Sequence, residues 1–249
     1  MTSPDRHHGP LGRYELRGLL GQGSVSLLCR AEGPEGRLVA VRRLYQWVVD
    51  AEPRLVARWV EGARRLALVR SERVVPIREV GTGPEGAFVV LDFVEGETLA
   101  RMAREASRVG ERLPPAVVGR VVLDVLAGVQ AVHEARDPEG APLGLLVKEL
   151  RDRHVIVGHD GLARLADWVD HAIEYEPELQ GPTLLKGRLF PMPIEQLRGE
   201  PLDPRADVWS GGVIAWQLLA GRRLFAGDSD AQMAHRLLEE EAPDVRTST

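Results

Sequence analysis

The 249-residue chain has a single cysteine, Cys29, which excludes an intrachain disulfide and suits a reducing compartment. Lysine is almost missing: Lys148 and Lys186 are the only two among 32 basic residues. Chemistry that needs a cation elsewhere must therefore use arginine. No apolar run approaches the roughly 20 residues that span a bilayer. The first ten residues, MTSPDRHHGP, lack the apolar stretch of a secretory leader. A net charge of −5 argues against a broad nucleic-acid-binding surface. Repeats and low-complexity tracts are also missing. These absences point to a cytoplasmic protein with neither nucleic acid nor membrane as partner. What remains, 44% hydrophobic and 28% charged residues, is the composition of a globular domain with a sizeable core.

Polar residues, Pro and Gly make residues 1–12 read as a flexible tail. The His7-His8 pair within it reads as solvated tail rather than metal site, because no third or fourth ligand lies nearby. Short apolar runs at 14–20, 25–31 and 38–41 then alternate with the turns Gly21-Gln22-Gly23 and Gly33-Pro34-Glu35-Gly36, and read as strands. Cys29 falls in the second run and is expected to be a small buried hydrophobe. Residues 51–70 read as a helix, and 74–80 and 87–93 as two strands joined by a glycine-rich turn. Downstream of Pro114-Pro115 the valines at 118, 121, 122, 125, 129 and 132 recur at helical spacing, so a helix should run to about Glu134. Residues 155–157 and 162–165 flank Gly158-His159-Asp160-Gly161 as a hairpin. An irregular stretch covers 167–200, a helix 207–220 carries Trp209, Val213 and Trp216 on one face, a short helix covers 232–241, and 242–249 is a tail. The order is a β-rich lobe over 13–94, a link at 92–96 and a mainly helical lobe over 95–241. This is an α+β arrangement whose cleft is a natural ligand site.

Six landmarks recur in one order: Leu20-Gly21-Gln22-Gly23, Val39-Ala40-Val41-Arg42, Val90-Leu91-Asp92-Phe93-Val94-Glu95-Gly96, Val147-Lys148-Glu149, Asp167-Trp168-Val169 and Asp207-Val208-Trp209-Ser210. Together they resemble the bacterial branch of the eukaryotic-type Ser/Thr protein kinases, from residue 13 to about residue 240. The resemblance implies a two-lobed protein-kinase-like fold, cut short after the first helices of the second lobe with the last helices missing. It also implies ATP as ligand, with Mg or Mn. Kinase catalysis is positioning plus charge stabilisation around the γ-phosphoryl group, so each landmark has a job. Gly21, Gly23 and Ser26 would let backbone N–H groups approach the phosphates, with Ser26 in place of a third glycine; a plain hairpin without phosphate contact is the competing reading. Ala40 and Leu91, the latter as gatekeeper, would wall the adenine pocket, and Asp92, Phe93 and Val94 would form the hinge. Arg42 stands where the family has lysine. Arginine keeps the charge, but its planar fork is not equivalent to an ammonium; the readings are a cation for the phosphates, a side chain that fills the phosphate space, and a partner for an acid. The helical glutamate that holds the family lysine is represented only by the neighbouring Glu61, because Gly62 takes the aligned position.

The departures deepen in the catalytic loop. Glu149 replaces the aspartate base and carries its carboxylate one methylene further out, where hydrogen-bond reach to a substrate hydroxyl can be lost. His154 replaces a neutral oxygen ligand of Mg. Imidazole would favour Mn or Zn, and the competing reading is a hydrogen-bonded core histidine. Asp167 survives as the best candidate metal ligand. Val169 replaces a glycine and should fix the turn, since a β-branched residue resists positive φ. Tyr175 and Thr183 are the hydroxyl residues available for phosphorylation in the activation segment, and Asp207 retains the job of holding the catalytic-loop backbone. A kept fold with altered chemistry implies a pseudokinase that scaffolds or regulates another signalling protein, such as a kinase. The alternatives are an active ATP-dependent Ser/Thr protein kinase using a non-standard site, and a purely structural domain with a filled cleft.

Overall fold

In the computed structural model the described residues are 8–83, 86–148, 150–166, 168–170, 192–225, 227 and 229–247. The first lobe is a six-stranded antiparallel sheet in the order β1-β2-β3-β4-β6-β5. Its strands are β1 (His8–Leu11), β2 (Tyr14–Gln22), β3 (Ser26–Glu32), β4 (Leu38–Leu44), β5 (Ile77–Gly83) and β6 (Gly86–Asp92). Residues 8–11 belong to the expected tail, yet they pair with residues 14–17 and bury Leu11. Pro10 is tolerated because β1 lies on the sheet edge, where a missing N–H costs no ladder bond. Cys29 is fully buried, and desolvation raises its thiol pKa, in keeping with a structural hydrophobe.

Two helices cross this sheet. The expected helix at 51–70 divides into α1 (Gln46–Ala51) and α2 (Pro53–Leu66), because Glu52 breaks the helical dihedrals and Pro53 restarts them. α2 buries Trp59, Val60, Ala63 and Leu66 on one stripe.

The second lobe opens with β7 (Gly96–Thr98) and α3 (Leu99–Arg108), a helix whose strongly polar sequence hides its short apolar stripe. α4 (Pro115–His133) follows, and by length and composition alone it could cross a membrane, contrary to the expectation from apolar runs. Here its Val118, Val121, Val125, Val129 and Val132 are buried in the main core. β8 (Val155–Gly158) and β9 (Ala163–Leu165) form the expected hairpin and join β7 in a second antiparallel sheet. α5 (Ile194–Leu197), α6 (Pro204–Ala220) and α7 (Asp230–Glu239) follow among the described residues. Trp209, Val213 and Trp216 share one cluster with Leu224, Phe225 and Leu237. The expected C-terminal tail packs back on α6, where the Trp216 indole N–H donates to the Pro243 carbonyl at 2.7 Å.

The lobes are tied where residue 74 meets β9. The Val75 N–H donates to the Leu165 carbonyl and the Leu165 N–H to the Arg73 carbonyl, each at 2.8 Å. Buried Asp124 of α4 joins this seam, accepting from Arg73 at 2.8 Å and from the Ala163 N–H at 3.1 Å. Below the hinge, Gly96 faces β8 so closely that a Cβ there would lie 2.7 Å from the Gly158 Cα and nearer still to the Val157 carbonyl. Gly96→Ala must therefore spread β7 from β8 and should cost about 1–3 kcal/mol. Urea unfolding checks this, and an unchanged midpoint would mean the small sheet yields freely.

Candidate functional site

The cleft between the lobes contains a cavity of about 500 Å³. Leu20 and Leu28 from β2 and β3, Ala40 from β4, Leu91 from β6, and Ile156 and Ala166 from around the second sheet make its apolar walls. Asp92, Phe93 and Val94 line the hinge side. The expected nucleotide-pocket residues Gly21, Gly23, Ala40, Arg42, Leu91, Asp92 and Val94 therefore face one cavity. Ser26 does not line it directly but lies buried behind Gly23. Asp92 turns its carboxylate outward, to Arg37 at 2.8 Å and Arg78 at 2.5 Å, while its N–H donates to the Pro76 carbonyl at 3.1 Å.

At the inner end Arg42 meets an acid that sequence patterns do not single out. The side chains of Arg42 and Asp170 are only 4% and 8% exposed, with Nη1 2.5 Å from Oδ2. The Ser26 hydroxyl donates to the same oxygen at 2.6 Å and itself accepts from Arg42. Trp59 of α2 donates its indole N–H to the other carboxylate oxygen at 3.1 Å. Three donors thus converge on one carboxylate in a dry setting, where charge-assisted hydrogen bonds are strong. Gly23 is needed for a reason other than phosphate approach: a Cβ there would lie 2.7 Å from Asp170 Oδ2. Its carbonyl accepts from the Tyr45 hydroxyl at 3.2 Å, and its N–H donates to the Ser26 carbonyl at 2.8 Å. The glycine-rich turn is folded down onto the ion pair.

Helix α2 contributes Trp59, not a carboxylate, to this cluster. Glu61 points away with its side chain 66% exposed, 4.0 Å from Arg64. Arg42 pairs with an acid, and the acid comes from the segment after Asp167-Trp168-Val169. Trp168 and Val169 are both buried in the main core. Glu149 and Asp167, expected as base and metal ligand, lie outside the described residues, as do Tyr175 and Thr183.

His154 is buried at the cavity edge, and its Nε2 accepts from the Arg153 Nε at 3.0 Å. A nitrogen whose lone pair faces a guanidinium is badly placed to hold a cation. The histidine fits the hydrogen-bonded core reading better.

The loop before His154 is held as expected. Asp207, fully buried on α6, accepts from the backbone N–H of Val147 at 2.8 Å and of Lys148 at 2.6 Å, and lies 2.7 Å from His133 Nε2. Lys148 is thereby kept at φ 65°, an uncommon conformation for a side chain of its size.

Comparison with known proteins agrees with this architecture. The protein kinase domain model matches residues 14–247. The tyrosine-protein kinase MasK of Myxococcus xanthus is 26% identical over 241 residues, covering 95% of this chain and 37% of that protein. The serine/threonine-protein kinase PknL of Mycobacterium bovis is 27% identical over 238 residues, covering 93% of this chain and 55% of that protein. The DNA damage-responsive serine/threonine-protein kinase RqkA of Deinococcus radiodurans is 26% identical over 239 residues, covering 94% and 34%. The chain therefore spans between a third and just over half the length of these relatives. That model covers nearly the whole chain, and the chain belongs to the protein kinase domain family.

Proposed function

We propose that this kinase domain is impaired in phosphoryl transfer and works as a binding module, a scaffold or regulator of another signalling protein. One observation carries the reading: Arg42, the cation expected to meet the nucleotide phosphates, is bound to Asp170 in a buried cluster with Ser26 and Trp59. The Nη1 end of the guanidinium is thereby committed to Asp170 and Ser26 instead of to a transferring phosphoryl group. Losing one such preorganised contact costs on the order of 10²–10³ in rate. The exposed position of Glu61 and the hydrogen bond taken up by His154 support the same reading.

An active kinase with a non-standard site is the second reading. It is favoured by the Asp207 network, which keeps the catalytic-loop backbone in place. Transfer of γ-phosphate to the chain itself and to a generic substrate, with ATP and either Mg or Mn, separates the two. The binding-module reading expects rates at least about 10³-fold below the 1–100 s⁻¹ usual for kinases. Transfer within that usual range would overturn it.

A further inference from the structure

At the inner end of the cleft Arg42 is paired with the chain's own carboxylate, Asp170. Of the donors that hold Asp170, only Arg42 lines the cavity; the Ser26 hydroxyl and the Trp59 indole N–H lie buried behind it. Asp170 already takes all three, and the folded glycine-rich turn holds it there. A phosphate entering this end must either displace Asp170 or sit beside it. Displacement strands a carboxylate in apolar surroundings, and juxtaposition places like charges in a dry pocket. Both are costly.

The outer part of the cleft is different. Leu20, Leu28, Ala40, Leu91 and Ile156 wall it, Asp92, Phe93 and Val94 line the hinge side, and the cavity as a whole, at about 500 Å³, falls in the range of small-molecule sites. In the β4–β6 register Arg42 stands opposite Val89 and Val39 opposite Asp92. Three residues of strand therefore separate the ion pair from the hinge, about 10 Å at about 3.4 Å per residue. Asp170 lies at the inner end of this span and the hinge residues at the outer end, and both line the cavity. At the mouth Arg101 pairs with Glu97 at 3.0 Å, and the Arg153 Nε donates to His154.

We propose that the cleft takes an uncharged molecule of nucleoside size and that Asp170 excludes its phosphorylated forms. The proposal rests on the reading that this cleft does not transfer phosphate, and it goes further by naming the ligand class. Adenosine, AMP, ADP and ATP are the probes, titrated calorimetrically into the purified chain with and without Mg. Adenosine should bind at least about tenfold more tightly than any of the three nucleotides, because like charges brought together in a dry site cost several kcal/mol. In Asp170→Asn, which keeps an acceptor oxygen for Arg42 but removes the negative charge, that preference should shrink at least about tenfold while adenosine affinity stays near its original value. The wild-type series alone decides the matter if the variant does not fold. Nucleotides binding as tightly as adenosine, or no adenosine binding at millimolar concentration, would overturn the proposal. Tight ATP binding without transfer would leave the binding-module reading standing, whereas transfer at ordinary rates would remove that reading itself.

Discussion

Arg42→Met should destabilise the protein by about 3–5 kcal/mol, because it leaves the Asp170 carboxylate buried without its cation. Asp170→Leu should also be costly, for the mirror-image reason. Arg42→Met combined with Asp170→Leu should be far less harmful than the two changes added together. Removing both charges removes both desolvation penalties, and residues of similar volume refill the space. Recovery will be incomplete, since the Trp59 indole N–H and the Ser26 hydroxyl lose their shared acceptor, at about 1 kcal/mol each. A double-mutant cycle from urea unfolding should give a coupling energy of at least about 3 kcal/mol. Near-additive effects would mean that the pair does not hold the inner cleft shut, and the binding-module reading would lose its main support.

Much of the fold was legible because the relevant signals are local. Alternating apolar runs marked the strands of the first sheet, and valines at helical spacing marked α4. Leu91 as the back wall and Asp207 as the anchor of the catalytic loop followed from motif position. β1 escaped because a strand built from His8, Gly9 and Pro10 offers only Leu11 as an apolar signal. Its register comes from β2, not from its own residues. The inner site escaped for a different reason. Arg42 and Asp170 are 128 positions apart, and Trp59 and Asp170 are 111 apart. Nothing in either neighbourhood indicates that they meet. The helix facing Arg42 brings no carboxylate to it, since Glu61 is exposed. Helical spacing places Trp59 on the buried stripe with Ala63 and Leu66, so an indole donor rather than an acid was the group on offer. The charge on Arg42 implied an acid somewhere, but only the three-dimensional path of the chain after Trp168-Val169 decides which.

Asp207→Ala should lower stability by about 3–5 kcal/mol, a fall on the order of 10 °C in Tm for a chain of this size. The carboxylate has no exposed surface and serves three groups with two oxygens: Oδ1 accepts from Lys148, while Oδ2 accepts from Val147 and lies against His133. Alanine leaves two buried or half-buried backbone N–H groups without an acceptor and opens a void beneath α6. Asp207→Asn keeps one acceptor oxygen but turns an NH₂ toward donors at the other, so it should cost about 2 kcal/mol rather than nothing. Lys148 is the sensitive reporter. Its φ of 65° is held against an intrinsic preference for negative values, and without Asp207 it is free to relax. Hydrogen exchange at the Val147 and Lys148 amides should therefore accelerate more than exchange in α4, even under conditions where the variant remains folded. Uniform acceleration across both would show a general loss of stability, and the local anchoring role would fall. The two functional readings diverge here as well. An active kinase would lose transfer along with the loop geometry, whereas a nucleoside-binding module should keep its adenosine affinity within a fewfold, because Asp207 contacts the loop backbone and not the cavity wall.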